Sequence, residues 1–156
     1  MAWTRGAWAL PLRLIFGFGM MFHSFPKLFS TEGHANFVGT LSGLGIPAPG
    51  ASAWIFGIVE FVGGLMLLIG AFVTIVSLVL IVDLLLFAVL MHAQYGFSFM
   101  NITGITESGA LVFGMPGYEV NLLYTAALLA LAIGGAGSYS VDERRGVGRI
   151  GEPAPA

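Results

Sequence analysis

Six ionisable side chains stand inside or at the edges of long apolar stretches: His23, Lys27, Glu60, Asp83, His92 and Glu119. Charge in hydrocarbon is costly, so each needs a partner, and such partnerships mark where a membrane chain does its work. A histidine beside a carboxylate supplies hydrogen-bond donors and a proton relay, the two things a quinone headgroup requires. His23 and Lys27 are four residues apart and share a helix face. Glu60 is bracketed by Gly57, Gly63 and Gly64, a close-packing stripe with one carboxylate in its middle. His23, Lys27, Glu60, His92 and Glu119 are therefore the candidate cofactor-binding set. No metal site is expected, and the residues leave open whether the chain is itself an enzyme.

These side chains need helices to position them. With 57% hydrophobic and 9% charged residues and a mean hydropathy of +0.92, 156 residues cannot hide their apolar surface in a water-soluble fold of this size. The expected class is all-α: a four-transmembrane-helix bundle within one domain, 1–137, followed by a cytoplasmic tail, 138–156, partly disordered over its last dozen residues. The spans are expected at about 7–29, 52–69, 72–92 and 117–137, with Gly70 as the turn between the middle two. The first run reads as a mature helix, since Arg13 interrupts it and no clean small-residue cleavage site follows. Between the first two spans, Phe37, Leu41 and Leu44 recur at helical spacing before the Gly45-Ile46-Pro47-Ala48-Pro49 breaker, which predicts a short interfacial helix in the first outer loop.

Arg5 and Arg13 at the start and Arg144, Arg145 and Arg149 after the last span place both termini in the cytoplasm, while the long loops hold only Lys27. On that orientation Glu60 lies about 12 Å inward from Ser52, and all the candidate residues fall in the outer half of the bundle. Arg13 alone marks the inner half, where its stem can snorkel to the surface. Asp83 is nine residues before His92 and on the opposite helix face. It could face a neighbouring subunit, pair with Glu60 across the hairpin with one proton between them, or be protonated alone.

Several polar residues have ordinary structural readings. Tyr118 is most simply an interfacial anchor, whereas the Asn121 amide needs a partner inside the bundle and shares a stripe with Tyr118 and Thr125. Tyr95, Phe97 and Phe99 alternate as in an extended loop that could cover the outer mouth, and His34 is expected to meet solvent. With no cysteine, the chain carries no thiol relay, persulfide or iron–sulfur cluster. A net charge of −2 implies no nucleic-acid partner. The expected partners are the lipid bilayer and other membrane-protein subunits.

Over roughly residues 12–142 the motifs form a recognisable set. They are Leu12-Arg13-Leu14 with Gly17, then His23 and Lys27-Leu28-Phe29; Phe37 with Gly39-Thr40; Leu44-Gly45-Ile46-Pro47; Glu60 with Gly63-Gly64-Leu65; His92; Gly117-Tyr118-Glu119; and Gly135-Ala136-Gly137 with Ser140 and Asp142. The chain resembles the DoxX family of small four-span bacterial and archaeal membrane proteins. It departs from the family pattern at Ser24, where a glycine commonly follows the histidine, and at Asp83, where an apolar stretch is usual. The resemblance implies a bundle in the bacterial cytoplasmic membrane, often linked to redox systems, some members being small subunits of a thiosulfate:quinone oxidoreductase.

Two functions follow as expectations: a small subunit of a quinone-linked membrane redox complex, or a non-catalytic accessory subunit of a larger respiratory or photosynthetic assembly, docked through its glycines and an outward Asp83. Haem ligation by His23 and His92 is the least favoured reading. Transport has no internal repeat or broken helix to recommend it.

Overall fold

The apolar runs become helices broken where glycine and proline demand it. In a computed structural model that describes residues 6–146, α1 covers Ala9–Phe29, α2 Thr31–Gly43, α3 Pro49–Ile69, α4 Val73–Phe87, α5 Glu119–Gly134 and α6 Val141–Arg144. α1 packs chiefly on α3 and α4 chiefly on α5; contacts of α3 with α4 and of α1 with α5 close the four long helices into a ring. Their core is Met20, Leu67, Val73, Leu80, Leu128 and Leu131.

Gly17 and Gly64 set the closest crossing. A Cβ at Gly17 would lie 2.7 Å from the Gly64 carbonyl oxygen, and one at Gly64 would lie 2.6 Å from that of Gly17. Only hydrogen on both sides lets the α1 and α3 backbones meet this closely, a small-residue contact of the kind membrane helices use. The other glycines of the stripe admit side chains: Gly57 receives Leu28 from α1 and Gly63 receives Leu80 from α4. Gly19 makes room for the hydroxyl end of Tyr124 rather than for another backbone.

The short helix expected between the first two runs is present as α2. Ser30 caps it, its Oγ accepting from the Gly33 N–H at 3.1 Å. α2 folds back on α1 and α3, with Leu41 fully buried beside Ala53 and Phe87. Gly70, at φ +70°, ends α3 as expected. α4 continues beyond Phe87 through a wide turn at Ala88–His92 and a tight one at Ala93–Tyr95.

The structure corrects one expectation. The segment between α4 and α5 is not merely a loop: β1 (Ile102–Ile105) pairs antiparallel with β2 (Leu111–Phe113), so the class is mostly helical with one small hairpin rather than all-α. Its β-branched and aromatic residues flank a turn at Gly109, φ +83°. Of the expected tail, 138–146 lies within the described residues. This stretch packs against the bundle, burying Ser140 and Asp142. Most of the expected disordered end lies outside the described residues.

The exterior is apolar, with Phe18, Phe22, Ile75, Val82 and Leu123 each 62–69% exposed. In water this would be a liability; against lipid it is the ordinary solution. Among the described residues, two helices are long and apolar enough to cross a membrane, Pro49–Ile69 and Val73–Tyr95. α5 is apolar but has 16 residues. α1 has the length but carries Arg13, His23 and Lys27. The four expected crossings thus meet a structure in which two helices qualify by length and composition.

Candidate functional site

The buried seam of α1 runs through Ala9, Arg13, Gly17, Met20 and Ser24, in steps of four or three residues that keep one face toward α3. Lys27 continues that spacing at the end of the helix. Its Nζ sits 2.6 Å from both carboxylate oxygens of Glu60, whose side chain is 6% exposed. The same ammonium lies 4.5 Å from the centre of the Phe37 ring and 5.9 Å from that of Phe87. These aromatic faces wall the pair and favour a cation between them.

Asp83 comes from α4 against the other side of this pair. It is 6% exposed, on the side of α4 where Leu80 packs over Gly63 of α3, and its Oδ1 has no hydrogen-bond partner. Of the three fates open to Asp83, its burial removes the outward, subunit-facing one. Lys27, Glu60 and Asp83 therefore form a cluster of one cation and two carboxyls drawn from α1, α3 and α4.

The other three candidates make their polar contacts elsewhere. His23, one residue off the seam, is exposed, with its ring edge-on to Phe22 at 6.1 Å. Ser24 takes the buried place beside it and donates to its own helix, Oγ to the Met20 carbonyl at 2.7 Å. The wide turn in which His92 stands carries its Nδ1 to 2.9 Å from the Pro116 carbonyl oxygen. Glu119 caps the outer loop, accepting from the Phe99 N–H at 2.8 Å, while its own N–H donates to the Phe97 carbonyl. His92 and Glu119 hold the loop that precedes α5. His34, expected in solvent, instead bonds the Lys27 carbonyl through Nδ1 at 2.8 Å and lies 4.5 Å from the Trp54 ring. Asn121 finds a partner within the bundle, donating to the Leu84 carbonyl at 3.3 Å.

At the opposite end of the bundle the sequence reading misses a second centre. Arg13 does not snorkel: it is 1% exposed and spends all its donor groups on backbone. Nε donates to Leu67 O at 3.1 Å, Nη1 to Ala136 O and Ser138 O at 2.8 and 3.3 Å, and Nη2 to Leu68 O and Tyr139 O at 3.3 and 3.0 Å. Leu67 and Leu68 lie in the last turn of α3, where carbonyls lack helical partners and a cation is favoured. Asp142 completes the clasp. Its carboxylate accepts from the Phe72 and Val73 N–H groups at 2.8 and 2.9 Å, capping α4. The sequence signal was the pairing of a lone Arg deep in an apolar run with a Gly-rich stop whose carbonyls need donors.

Quinone, the cofactor the resemblance implies, can be tested against these groups. An ammonium has three N–H donors; two meet Glu60, which leaves one for a carbonyl, and Asp83 supplies a carboxyl alongside. The cluster fits one end of a quinone headgroup, without help from His23, His92 or Glu119.

A family model described as DoxX matches residues 8–93. That stretch spans α1 to α4 and the wide turn holding His92, with the whole Lys27, Glu60 and Asp83 cluster; Glu119 and Asp142 fall beyond it. No curated protein and no solved structure matches the chain.

Proposed function

The chain belongs to the DoxX family and is a small membrane protein, and on that premise we propose that it serves as a small subunit of a quinone-linked membrane redox complex. The observation that carries this reading is the cluster itself: two buried carboxyls and an ammonium gathered from three helices, with one carboxyl oxygen of Asp83 left without a partner. A quinone bound there would accept electrons and protons from the complex. Lys27 would orient a headgroup carbonyl, Glu60 would hold Lys27 in place, and Asp83 would offer a proton. Phe37 and Phe87 would keep water from the ammonium.

The test uses membranes from a strain lacking its own copy, supplemented with this chain or with Glu60→Gln, and follows decylubiquinone reduction with thiosulfate, NADH or succinate as donor. The wild-type chain restores reduction with one of these donors, and Glu60→Gln lowers that rate at least about tenfold, the lower range expected when a proton-handling group is lost. Equal rates for the two would discard the reading.

The accessory-subunit reading draws on a different observation: the strongest polar contacts at the other end, Arg13 and Asp142, only tie helices together. It predicts that Glu60→Gln leaves turnover intact in every assembled complex. Its original docking element is lost, because Asp83 is buried.

For the setting, we place all four long helices across the bacterial cytoplasmic membrane, the end bearing Arg13, Arg144 and Arg145 facing the cytoplasm by the bias of basic residues. The chain has no cysteine, so introduced ones report cleanly. In intact spheroplasts an impermeant maleimide should label Ser108→Cys and spare Arg145→Cys; the reverse pattern would invert the topology.

A further inference from the structure

Glu60 and Asp83 are both buried on the facing helices α3 and α4, one turn from where Leu80 packs over Gly63, and Phe87, one turn further along α4, lies 5.9 Å from the Lys27 ammonium. Two ionised carboxylates on facing helices would repel, and neither could donate a hydrogen bond to the other. Glu60 has both oxygens on the Lys27 ammonium at 2.6 Å, the contact of an anion. Asp83 touches no cation through Oδ1, which is buried and without a hydrogen-bond partner. An ionised carboxylate would leave negative charge on that bare oxygen, whereas the carbonyl oxygen of a neutral acid bears far less and is much cheaper to bury. The charges around the pair agree with this. α1 contributes Lys27 and α3 contributes Glu60; from α2 come the Phe37 ring and His34, whose Nδ1 is on the Lys27 backbone carbonyl, and from α4 itself the Phe87 ring. On α5 the polar neighbour of α4 is the neutral Asn121, and Glu119 is engaged with the outer loop. One cation is thus set against two carboxyls.

We propose that Asp83 is a proton-binding site: it holds one proton, donates it in a hydrogen bond to the Glu60 carboxylate, and leaves the Lys27, Glu60 and Asp83 cluster with no net charge. In exchange the Asp83 O–H bond breaks, the electron pair stays on the carboxylate and the proton passes to water; rebinding reverses it. The Lys27 ammonium is placed to take up the new charge on Asp83 by sharing itself between two carboxylates. This deepens the function proposed above by naming the proton as ligand, but it does not depend on a quinone.

Infrared difference spectroscopy of the purified chain in mild detergent tests it, comparing water with deuterium oxide at neutral pH. The wild-type protein should show a protonated carboxyl C=O band that moves on deuteration, and labelling aspartate alone with 13C should shift that band. Asp83→Asn should remove it; Glu60→Gln should move it by changing its acceptor; and Glu107→Gln, in the exposed loop, should leave it in place. A wild-type spectrum without the band, or a band insensitive to aspartate labelling, would overturn the assignment even if a variant failed to fold. A band that persists unchanged in folded Asp83→Asn would do the same. Because no redox partner takes part, a normal band with no effect of Glu60→Gln on quinone reduction would keep the proton site and discard the redox reading.

Discussion

Arg13→Met should cost this protein about 3–5 kcal/mol of stability, the scale of breaking a buried, fully hydrogen-bonded charge. Five carbonyls from two stretches of chain converge on the guanidinium, and methionine fills the space without donating to any of them. The end of α3 and the 136–139 segment would lose their common anchor. Each such bond has a net worth of about 1.5–3 kcal/mol when charged, but the sum overstates the loss because freed carbonyls near the bundle end can recover water. Arg13→Lys should recover only part of the deficit, since an ammonium has three donors and lacks the planar fork. Thermal unfolding in detergent reads both variants. A midpoint for Arg13→Met equal to that of the wild type would show that the clasp is dispensable.

Breaking the ion pair should be nearly as severe, and its repair should be informative. Lys27→Met strands the Glu60 carboxylate and Glu60→Gln strands an ammonium between two aromatic rings. Each single change should cost about 3–5 kcal/mol, bounded by the option of the stranded group to become neutral. The double variant Lys27→Met with Glu60→Met removes both charges and should return to within about 1 kcal/mol of the wild type, because a buried pair gains little over apolar packing once desolvation is counted. A double-variant cycle read by unfolding in detergent measures this coupling. Additive losses would mean that the two side chains act independently despite their 2.6 Å contacts. If stability returns in the double variant while quinone reduction does not, the charges are retained for chemistry and not for the fold.

The parts of this arrangement that the sequence made legible are those governed by axial position. The Gly70 turn, the short helix after the first run and the level shared by Lys27 and Glu60 follow from counting residues along helices. Azimuth was harder. His23 and Lys27 lie within 40° on a helical wheel, yet the buried seam of α1 passes through Met20 and Ser24 and leaves His23 outside. A tilt of the seam by one residue decides which of two neighbours enters the core, and periodicity alone does not fix it. Asp83 posed the same difficulty: its angle to His92 was computable, but which side faced α3 depended on how Leu80 packs over Gly63.

What was hardest to read was contact with backbone. Arg13, Asp142, His92 and Glu119 all satisfy main-chain groups at helix ends and loop bases, and apart from the Gly-rich stop that answers Arg13, those acceptors and donors carry no residue signature. Asp142 lies 70 residues from the Phe72 N–H it caps, a distance at which no local pattern operates. The hairpin was hidden by the apparent polarity of its surroundings, although Ile102, Ile105, Val112 and Phe113 are strand formers on either side of Gly109.

The most direct test of the redox-subunit reading is native purification of the wild-type chain and Glu60→Gln in mild detergent, followed by identification of co-purifying proteins and extraction of bound quinone. The account predicts that a membrane redox partner accompanies both, and that quinone is recovered with the wild type but depleted in Glu60→Gln. A wild-type chain that purifies alone, with no quinone, would contradict it.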